Sequence, residues 1–437
     1  MSYDLNDTIY ALASGKGRAG VAVIRISGKK VPLILKNMTT IKKVRPRYAH
    51  LTEIKNNQTV LDKGLVIYFK APHSWTGEDV AEFHIHGGKA VIDAVLQTLS
   101  TFPETRPADH GEFSRRAVLN GKMDLTEAEG LMDLIEADTT LQRQQAFAQL
   151  QGNLKDLYTS WRSLLKHHMA YLEAFIDFPE EEIPPVHLQK MNTDIEELSH
   201  QIALHLDDNK AGEKVREGFH ILLLGEPNAG KSSLLNKLVQ KEVAIVSKTA
   251  GTTRDIIETY LEIDGLPVIF SDTAGLRENA EEIEAEGIRR ALKKAQDADL
   301  ILHLSPANCP HKALPKNLSK IPQIPILTKA DLYPDIKSKH LLLSVITNQG
   351  LAELWDKIKE FLHQTTSKAS AHALTRERYR VALTEAYACL KTALTEEEIE
   401  LKAEQLRLAN RAIGRITGSI QTEELLDVIF KDFCIGK

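Results

Sequence analysis

A multidomain chain of α+β and α/β parts is expected, because three kinds of pattern follow one another along it. Short β-rich runs fill roughly the first 120 residues. Long helical patterning occurs on both sides of the middle, and between about 218 and 365 apolar runs alternate with helical segments. That alternation is the pattern of a parallel sheet with crossover helices. The economical arrangement is one helical domain, made from both helical sections, with the α/β domain inserted in it. The expected limits are 1–120, 121–216, 217–366 and 367–437.

In the first domain, residues 21–27 and 65–69 are β-rich, and residues 80–86 alternate before Gly87-Gly88, as a strand ending in a turn does. Residues 90–99 then have helical spacing. Arg25 and Glu82 lie within strands, where a charge commonly faces water. Asp124 and Glu127 have the spacing of a capping box, ahead of helical patterning that runs to about Phe178. Pro179, Pro184 and Pro185 interrupt it, with Glu180, Glu181 and Glu182 among them. Helical spacing resumes over about 187–214 and again from about Arg376 to Lys437. The adjacent His167 and His168 point in different directions on a helix, so an exposed face is expected there rather than a metal site.

Hydrophobic residues make up 43% and charged residues 26% of the 437, ordinary for a globular protein. A net charge of −5 gives no global basic field for nucleic acid, although a local patch would suffice. Cys309, Cys389 and Cys434 are sparse and odd in number, which argues against a disulfide framework and fits a reducing, cytoplasmic setting. No apolar run approaches the ~18 residues of a membrane span. The first residues lack the basic and apolar regions of a secretory signal.

The α/β domain opens with the chemistry. Gly225-Glu226-Pro227-Asn228-Ala229-Gly230-Lys231-Ser232 satisfies G-x-x-x-x-G-K-[ST], between an apolar strand-like run and a helical one. Such a loop points backbone amides and a helix N-terminus at phosphate. Lys231 is expected at the β- and γ-phosphates and the Ser232 hydroxyl on Mg²⁺. In Gly251-Thr252-Thr253-Arg254-Asp255 a threonine, Thr253 first and Thr252 next, is expected to sense the γ-phosphate through Mg²⁺. Asp272-Thr273-Ala274-Gly275 follows a strand, Asp272 facing the Mg²⁺ shell and the Gly275 amide the γ-phosphate. Thr328-Lys329-Ala330-Asp331 ends another strand. Asp331 can accept from N1–H and the 2-amino group of guanine, which selects GTP, while Lys329 lays its stem along the base. Ser344-Val345-Ile346 supplies a last base-contacting loop. In order, these are the elements of a GTPase. Thr328 stands where Asn commonly ties the base loop to the phosphate loop, so a weaker nucleotide affinity is expected, with Asp331 keeping the guanine preference. Leu276 stands where a water-orienting Gln would be, and the carboxylates of residues 278–284 are the local alternatives.

The whole chain resembles the MnmE (TrmE) family of tRNA modification GTPases. The resemblance rests on Asp7-Thr8-Ile9, Gly20-Val21 with residues 24–28, Thr76-Gly77-Glu78-Asp79-Val80, His86-Gly87-Gly88, Gly111-Glu112-Phe113, residues 119–125, the nucleotide motifs, and the terminus Phe433-Cys434-Ile435-Gly436-Lys437. It implies an N-terminal domain similar to folate-binding aminomethyltransferase folds, which dimerises. There Arg25, Glu82, Lys122 and Lys437 would bind a 5-formyl- or methylene-tetrahydrofolate. A helical domain with an inserted P-loop G domain follows. The resemblance further implies K⁺ held by Asn228, Ser247, Thr249 and Thr252, and Glu284 as the residue that orients water. By the same resemblance GTP is bound by Asn228 to Ser233, by Ser247, Lys248, Thr249, Ala250 and Gly251 to Thr253, by Asp272 to Gly275, by Thr328 to Asp331 and by Ser344 to Ile346. Ser247 and Lys248 depart from the commonest family pattern. The family works as a homodimer with a flavoprotein, MnmG, in a heterotetramer. Together they install an aminomethyl or carboxymethylaminomethyl group at C5 of the wobble uridine of certain tRNAs. Cys434 lies in the terminal motif, but a thiol without an evident base is a weak candidate nucleophile. The competing reading is a regulatory or ribosome-associated GTPase switch without modification chemistry. Such a switch has no use for the folate-like domain or the terminal motif.

Overall fold

The computed structural model describes residues 6–15, 17–178, 184–240, 244–245, 258–272, 296–309, 314, 318–367, 372–419, 423–431 and 433–436. The chain divides into two units, residues 1–132 with 414–437, and residues 133–413.

In unit 1, β1 (Thr8–Leu12), β2 (Ala19–Ser27), β3 (His50–Asn56), β4 (Thr59–Phe69), β5 (Val80–Gly87) and β6 (Thr105–Pro107) form one sheet in the order β3-β4-β5-β2-β1-β6. Every pairing is antiparallel except β1 with β6. The period of two sorts the side chains. Tyr10, Ile24, Ile26, Phe83 and Ile85 fall on one face and build a core with α1 (Val31–Met38) and α2 (Lys89–Leu99). Ile9 and Ala11 fall on the other and pack with Ala108 and Phe113. Arg25 and Glu82 are register partners on that second face. Their side chains are only 15% and 19% exposed, so they do not simply face water.

Helix α3 (Glu112–Leu119) is almost entirely buried, and α4 (Leu125–Glu136) follows it. The expected capping box is present: the Glu127 amide donates to Asp124 Oδ1 (2.8 Å) and the Asp124 amide to Glu127 Oε2 (2.6 Å). The C-terminal residues return to this unit. Leu426, Phe430 and Phe433 pack on Val118, Leu125 and Ala128. Two glycines admit this approach. A Cβ on Gly111 would lie 2.8 Å from the Phe430 carbonyl oxygen, and one on Gly436 would lie 2.3 Å from that of Leu12.

Unit 2 contains α5 (Thr140–Leu150), α6 (Asn153–Asp177), α7 (Pro185–Leu206) and α8 (Ala211–Glu217), then the α/β sheet. That sheet comprises β7 (Phe219–Gly225), β8 (Ala244–Ile245), β9 (Glu258–Ile263), β10 (Leu266–Asp272), β11 (Leu300–Pro306), β12 (Gln323–Thr328) and β13 (Leu341–Leu343), with α9 (Lys231–Val239) after β7 and α10 (Leu351–Thr366) after β13. The strand order is β13-β12-β11-β7-β10-β9-β8. The five strands from β13 to β10 are parallel; β9 runs antiparallel to β10, and β8 antiparallel to β9. Fully apolar runs such as Ile221–Leu223 suit strands covered on both faces.

Helices α11 (Glu377–Thr395) and α12 (Ile399–Thr417) follow, and α13 (Glu423–Lys431) belongs to unit 1. The helical sections before and after the sheet interlock. Arg380 bonds Asp208 at 2.7 Å and Glu213 at 3.2 Å, and Arg162 donates to Asn410. Three glutamines of α5 hold the helical sections together, Gln149 alone reaching across the junction. Gln142 and Gln145 donate to the carbonyls of Arg216 and Gly212, and Gln149 bonds Thr375 and Tyr379. The His167–His168 pair departs in part from expectation. His167 is exposed, but His168 is buried and meets Asp194 Oδ2 at 3.1 Å. Among the described residues no helix is long and apolar enough to cross a membrane.

Candidate functional site

Parallel strands bring their carboxyl ends to one edge, and ligands of such sheets bind there. In unit 2 that edge collects Gly225 at the end of β7, Asp272 at the end of β10, Thr328 at the end of β12 and Ser344 just after β13. The phosphate loop turns through left-handed conformations at Asn228 (φ 60°) and Gly230 (φ 90°), and α9 starts at Lys231. Lys231 is buried to 7% exposure, and its Nζ donates to the carbonyls of Gly225 and Glu226, each at 2.9 Å. The ammonium is thus folded over its own loop, where phosphate oxygens would compete for it. Ser232 Oγ donates to Asp272 Oδ2 at 2.7 Å. The structure therefore joins two of the groups expected around Mg²⁺. A hydroxyl and a carboxylate are the hard oxygen donors that ion prefers.

Thr328 links the two loops. Its hydroxyl donates to the carbonyl of Ala229, inside the phosphate loop, at 2.7 Å, and lies 3.3 Å from that of Ser305. The base loop is tied to the phosphate loop by a shorter side chain than the usual amide. Lys329 then takes a left-handed conformation (φ 58°) and Ala330–Leu332 forms one 3₁₀ turn carrying Asp331. Ser344 is fully buried; its amide donates to the Gln349 carbonyl (3.0 Å) and its hydroxyl accepts from the Thr347 amide. Ile346 is 83% exposed. Ser247, Lys248, Thr249, Ala250, Gly251, Thr252, Thr253, Thr273, Ala274, Gly275 and Glu284 lie outside the described residues, as does Lys437.

The second site is in unit 1. Arg25 Nε donates to Glu82 Oε1 at 3.0 Å, and Arg25 Nη1 reaches the Gly436 carbonyl at 3.5 Å. The guanidinium lies 4.7 Å from the Trp75 ring centre and 5.8 Å from that of Phe113. The stem of Lys122 approaches Gly77, where a Cβ would stand 3.2 Å from Lys122 Cε. Thus the loop containing Trp75 and Gly77 is bordered by Arg25 and Lys122, two of the four expected folate residues, and Glu82 pairs with Arg25. A web of long-range bonds fixes this loop: Ser27 bonds Thr76 and Glu78, Arg116 bonds Glu78 and Glu112, and Asn120 donates to the Thr76 carbonyl. Burial pushes the Glu112 carboxyl up, but Arg106, the Asp109 amide and Arg116 outweigh it and hold the group below its ordinary value. Trp75 Nε1 is buried without a hydrogen-bond partner, while His84 Nε2 lies 3.6 Å from Glu82 Oε2. An unpaired buried donor is costly, so Trp75 Nε1 is a place where a ligand's acceptor would be favoured. Residue-by-residue reading missed Trp75 and Gly436; the motifs Thr76-Gly77-Glu78 and Gly111-Glu112-Phe113 were the signal pointing there. The same tail helps line a cavity of about 1030 Å³, with Tyr10, Leu12, Arg18, Lys89 and His110 around the exposed Cys434.

The MnmE helical domain family matches residues 125–434, and the family described as GTP-binding protein TrmE N-terminus matches residues 8–122. This chain belongs to the MnmE family. Its similarity to the tRNA modification GTPase MnmE of Parvibaculum lavamentivorans is 47% identity, covering 99% of this chain and all of that one. The MnmE of Paramagnetospirillum magneticum is likewise 47% identical, over 99% and 100% of the two chains. That of Wolbachia pipientis subsp. Culex pipiens is 42% identical over 99% of each. Membership and the phosphate-loop sheet together make this MnmE-family chain a GTP-binding GTPase. Among the described residues no group of three or more His, Cys, Asp or Glu could hold a metal ion.

Proposed function

We propose that this chain hydrolyses GTP in the service of tRNA modification. With a flavoprotein partner, MnmG, it would form the aminomethyl or carboxymethylaminomethyl group at C5 of the wobble uridine, using a tetrahydrofolate one-carbon donor. The observation that carries this reading is the coexistence of two sites in one chain. One is the phosphate loop with Lys231, Ser232 and Asp272 at a single sheet edge. The other is the Arg25–Glu82 pair, with the Arg25 guanidinium against the ring of Trp75, whose Nε1 has no hydrogen-bond partner. A pterin ring has an amide-like edge for Glu82, and a folate tail has carboxylates for cations such as Lys122 or Lys437.

In the nucleotide site Lys231 neutralises the β- and γ-phosphates, and Asp331 selects guanine. Thr328 sets the distance between the two loops. Bound Mg²⁺, near Ser232, Asp272 and Thr253, would supply positive charge to the transferring phosphoryl group. Asn228, Ser247, Thr249 and Thr252 would hold K⁺, whose charge, together with pairing of two G domains, would serve in place of an arginine finger, and Glu284 would orient water. The reading also places the protein in the cytoplasm as a homodimer. Its folate domain spans about 1–120, and its helical domain is interrupted by the G domain at about 217–366.

The test is mass spectrometry of tRNA nucleosides from cells lacking the protein, rescued with the wild type or Lys231→Ala. Loss of C5-modified wobble uridine, restored by the wild type alone, is expected. Persistence of the modification in the deletion strain would favour the regulatory switch.

A further inference from the structure

The chain is acidic overall, at −5, yet its cations are unevenly placed. Between Asp7 and Glu53 there is no carboxylate, while ten basic residues occur: Lys16, Arg18, Arg25, Lys29, Lys30, Lys36, Lys42, Lys43, Arg45 and Arg47. The densest part is the segment that joins α1 to β3. Its apolar residues Ile41 and Val44 pack against the core of unit 1, which turns Lys42, Lys43, Arg45 and Arg47 outward. None of these four pairs with a carboxylate among the described residues. Asp79, in the adjoining loop, already accepts from the Tyr68 hydroxyl and the Ala71 amide.

The segment is held in shape. The Arg47 amide donates to the Tyr68 carbonyl at 2.7 Å and its guanidinium to that of His73 at 2.9 Å. His50 Nε2 accepts from the Arg45 amide at 3.1 Å. On this frame the Arg45 guanidinium lies 3.8 Å above the Tyr48 ring, and the Tyr48 and His50 rings meet edge on at 4.8 Å. Tyr48 is 47% exposed, and Lys70 and His73 are exposed beside the frame.

We infer that this segment is an RNA-binding surface: Lys42, Lys43 and Arg45 contact phosphates, and the Arg45–Tyr48 stack takes an unpaired base. The inference rests on the proposed role in tRNA modification. Cations without carboxylate partners suit a polyanion, and each neutralised phosphate releases a counterion. Aromatic and guanidinium planes on a fixed backbone are what single-stranded bases stack on. An acidic protein would use the cations but leave the stacked pair without a purpose.

The experiment titrates the whole chain with a fluorescently labelled tRNA transcript across a range of KCl concentrations. The variant Lys42→Gln/Lys43→Gln/Arg45→Gln leaves the anchors Ile41, Val44 and Arg47 in place, and its GTP hydrolysis and melting temperature report that it folds. Its affinity is expected to fall at least tenfold, with a slope of log K against log salt shallower by about 2. Tyr48→Ala is expected to weaken binding about fivefold or more without changing that slope. Wild-type affinity and slope in the triple variant would overturn the proposal, as would absence of tRNA binding by the wild type. Rescue of the deletion strain separates the two readings. Normal wobble-uridine modification with the triple variant removes this surface but leaves the modification role standing. Reduced modification with unchanged tRNA affinity would reassign the patch to a protein partner.

Discussion

The nucleotide edge of unit 2 and the Arg25–Glu82 site of unit 1 are assembled by opposite means. At the nucleotide edge each contribution is a short run at the end of a strand, and the parallel sheet aligns those ends. Backbone conformation does much of the work, as at Asn228 and Gly230. In unit 1 the site is made of side chains far apart in sequence. Arg25 meets Glu82, Trp75, Phe113 and Gly436, and the loop beside it is held by Arg116 and Asn120. A site of the first kind is written in local motifs. One of the second kind is written in pairings that only the fold reveals.

The largest effect that would test this contrast is Lys231→Ala. It removes the buried ammonium from the phosphate loop and should lower kcat/KM for GTP by about 100-fold or more, read by phosphate release. A loss below about tenfold would break the assignment of this edge to catalysis.

Acidification should separate the units. Burial pushes the His205 imidazole down to about 4, and it accepts from or donates to the Tyr158 hydroxyl at 3.1 Å. The unfolded chain takes up this proton near pH 6.5, whereas the folded one resists until about 4. Stability is therefore present above pH 6.5 and lost as pH falls toward 4, by about 3 kcal/mol in unit 2. Glu112 in unit 1 is also held down, but for an acid this favours the charged form: its stabilisation is intact above the ordinary carboxylate range and fades only below it. Thermal melts between pH 7 and 4.5 should show unit 2 softening first, and His205→Gln should flatten its pH dependence. Simultaneous loss in both units would contradict this.

Glu82→Gln should weaken 5-formyltetrahydrofolate binding about 30-fold, close to 2 kcal/mol, by calorimetry on the whole chain. An unchanged affinity would detach the Arg25 pair from folate. The smallest effect sharpens the local side. Thr328→Val leaves the Ala229 carbonyl unpaired and should raise the Kd for GDP about tenfold, while Thr328→Ser should stay within about twofold. Equal affinities in Val and Ser would show that the hydroxyl tie is dispensable.

Much of the nucleotide edge was legible because a phosphate loop, a strand-ending Asp and the Thr328–Asp331 run each need particular residues at fixed spacing. The helices were legible in type, but their breaks at 137–139 and 151–152 were not, since a glycine or a capping Thr139 interrupts the helix without altering the apolar period. At Thr328 the residue type alone did not reveal the 2.7 Å bond by which its hydroxyl reaches the phosphate loop. Read from the residues alone, Arg25 and Glu82 were strand charges; the resemblance made them folate residues, and register shows them opposite each other. The buried His168 was hidden by its neighbour, as only packing against Asp194 distinguishes the two faces.

The return of residues 414–437 to unit 1 has a consequence for how the protein is made. During synthesis the first 132 residues emerge without Phe430, Phe433 and Gly436, which cover α3 and border Arg25. Residues 133–413 must leave the ribosome first, which at ~5–20 residues per second takes roughly 15–60 s. Through that interval the apolar face of Val118 and Leu125 waits for its partners, so the ribosome-bound half-product is the stage at which a chaperone has the most to hold.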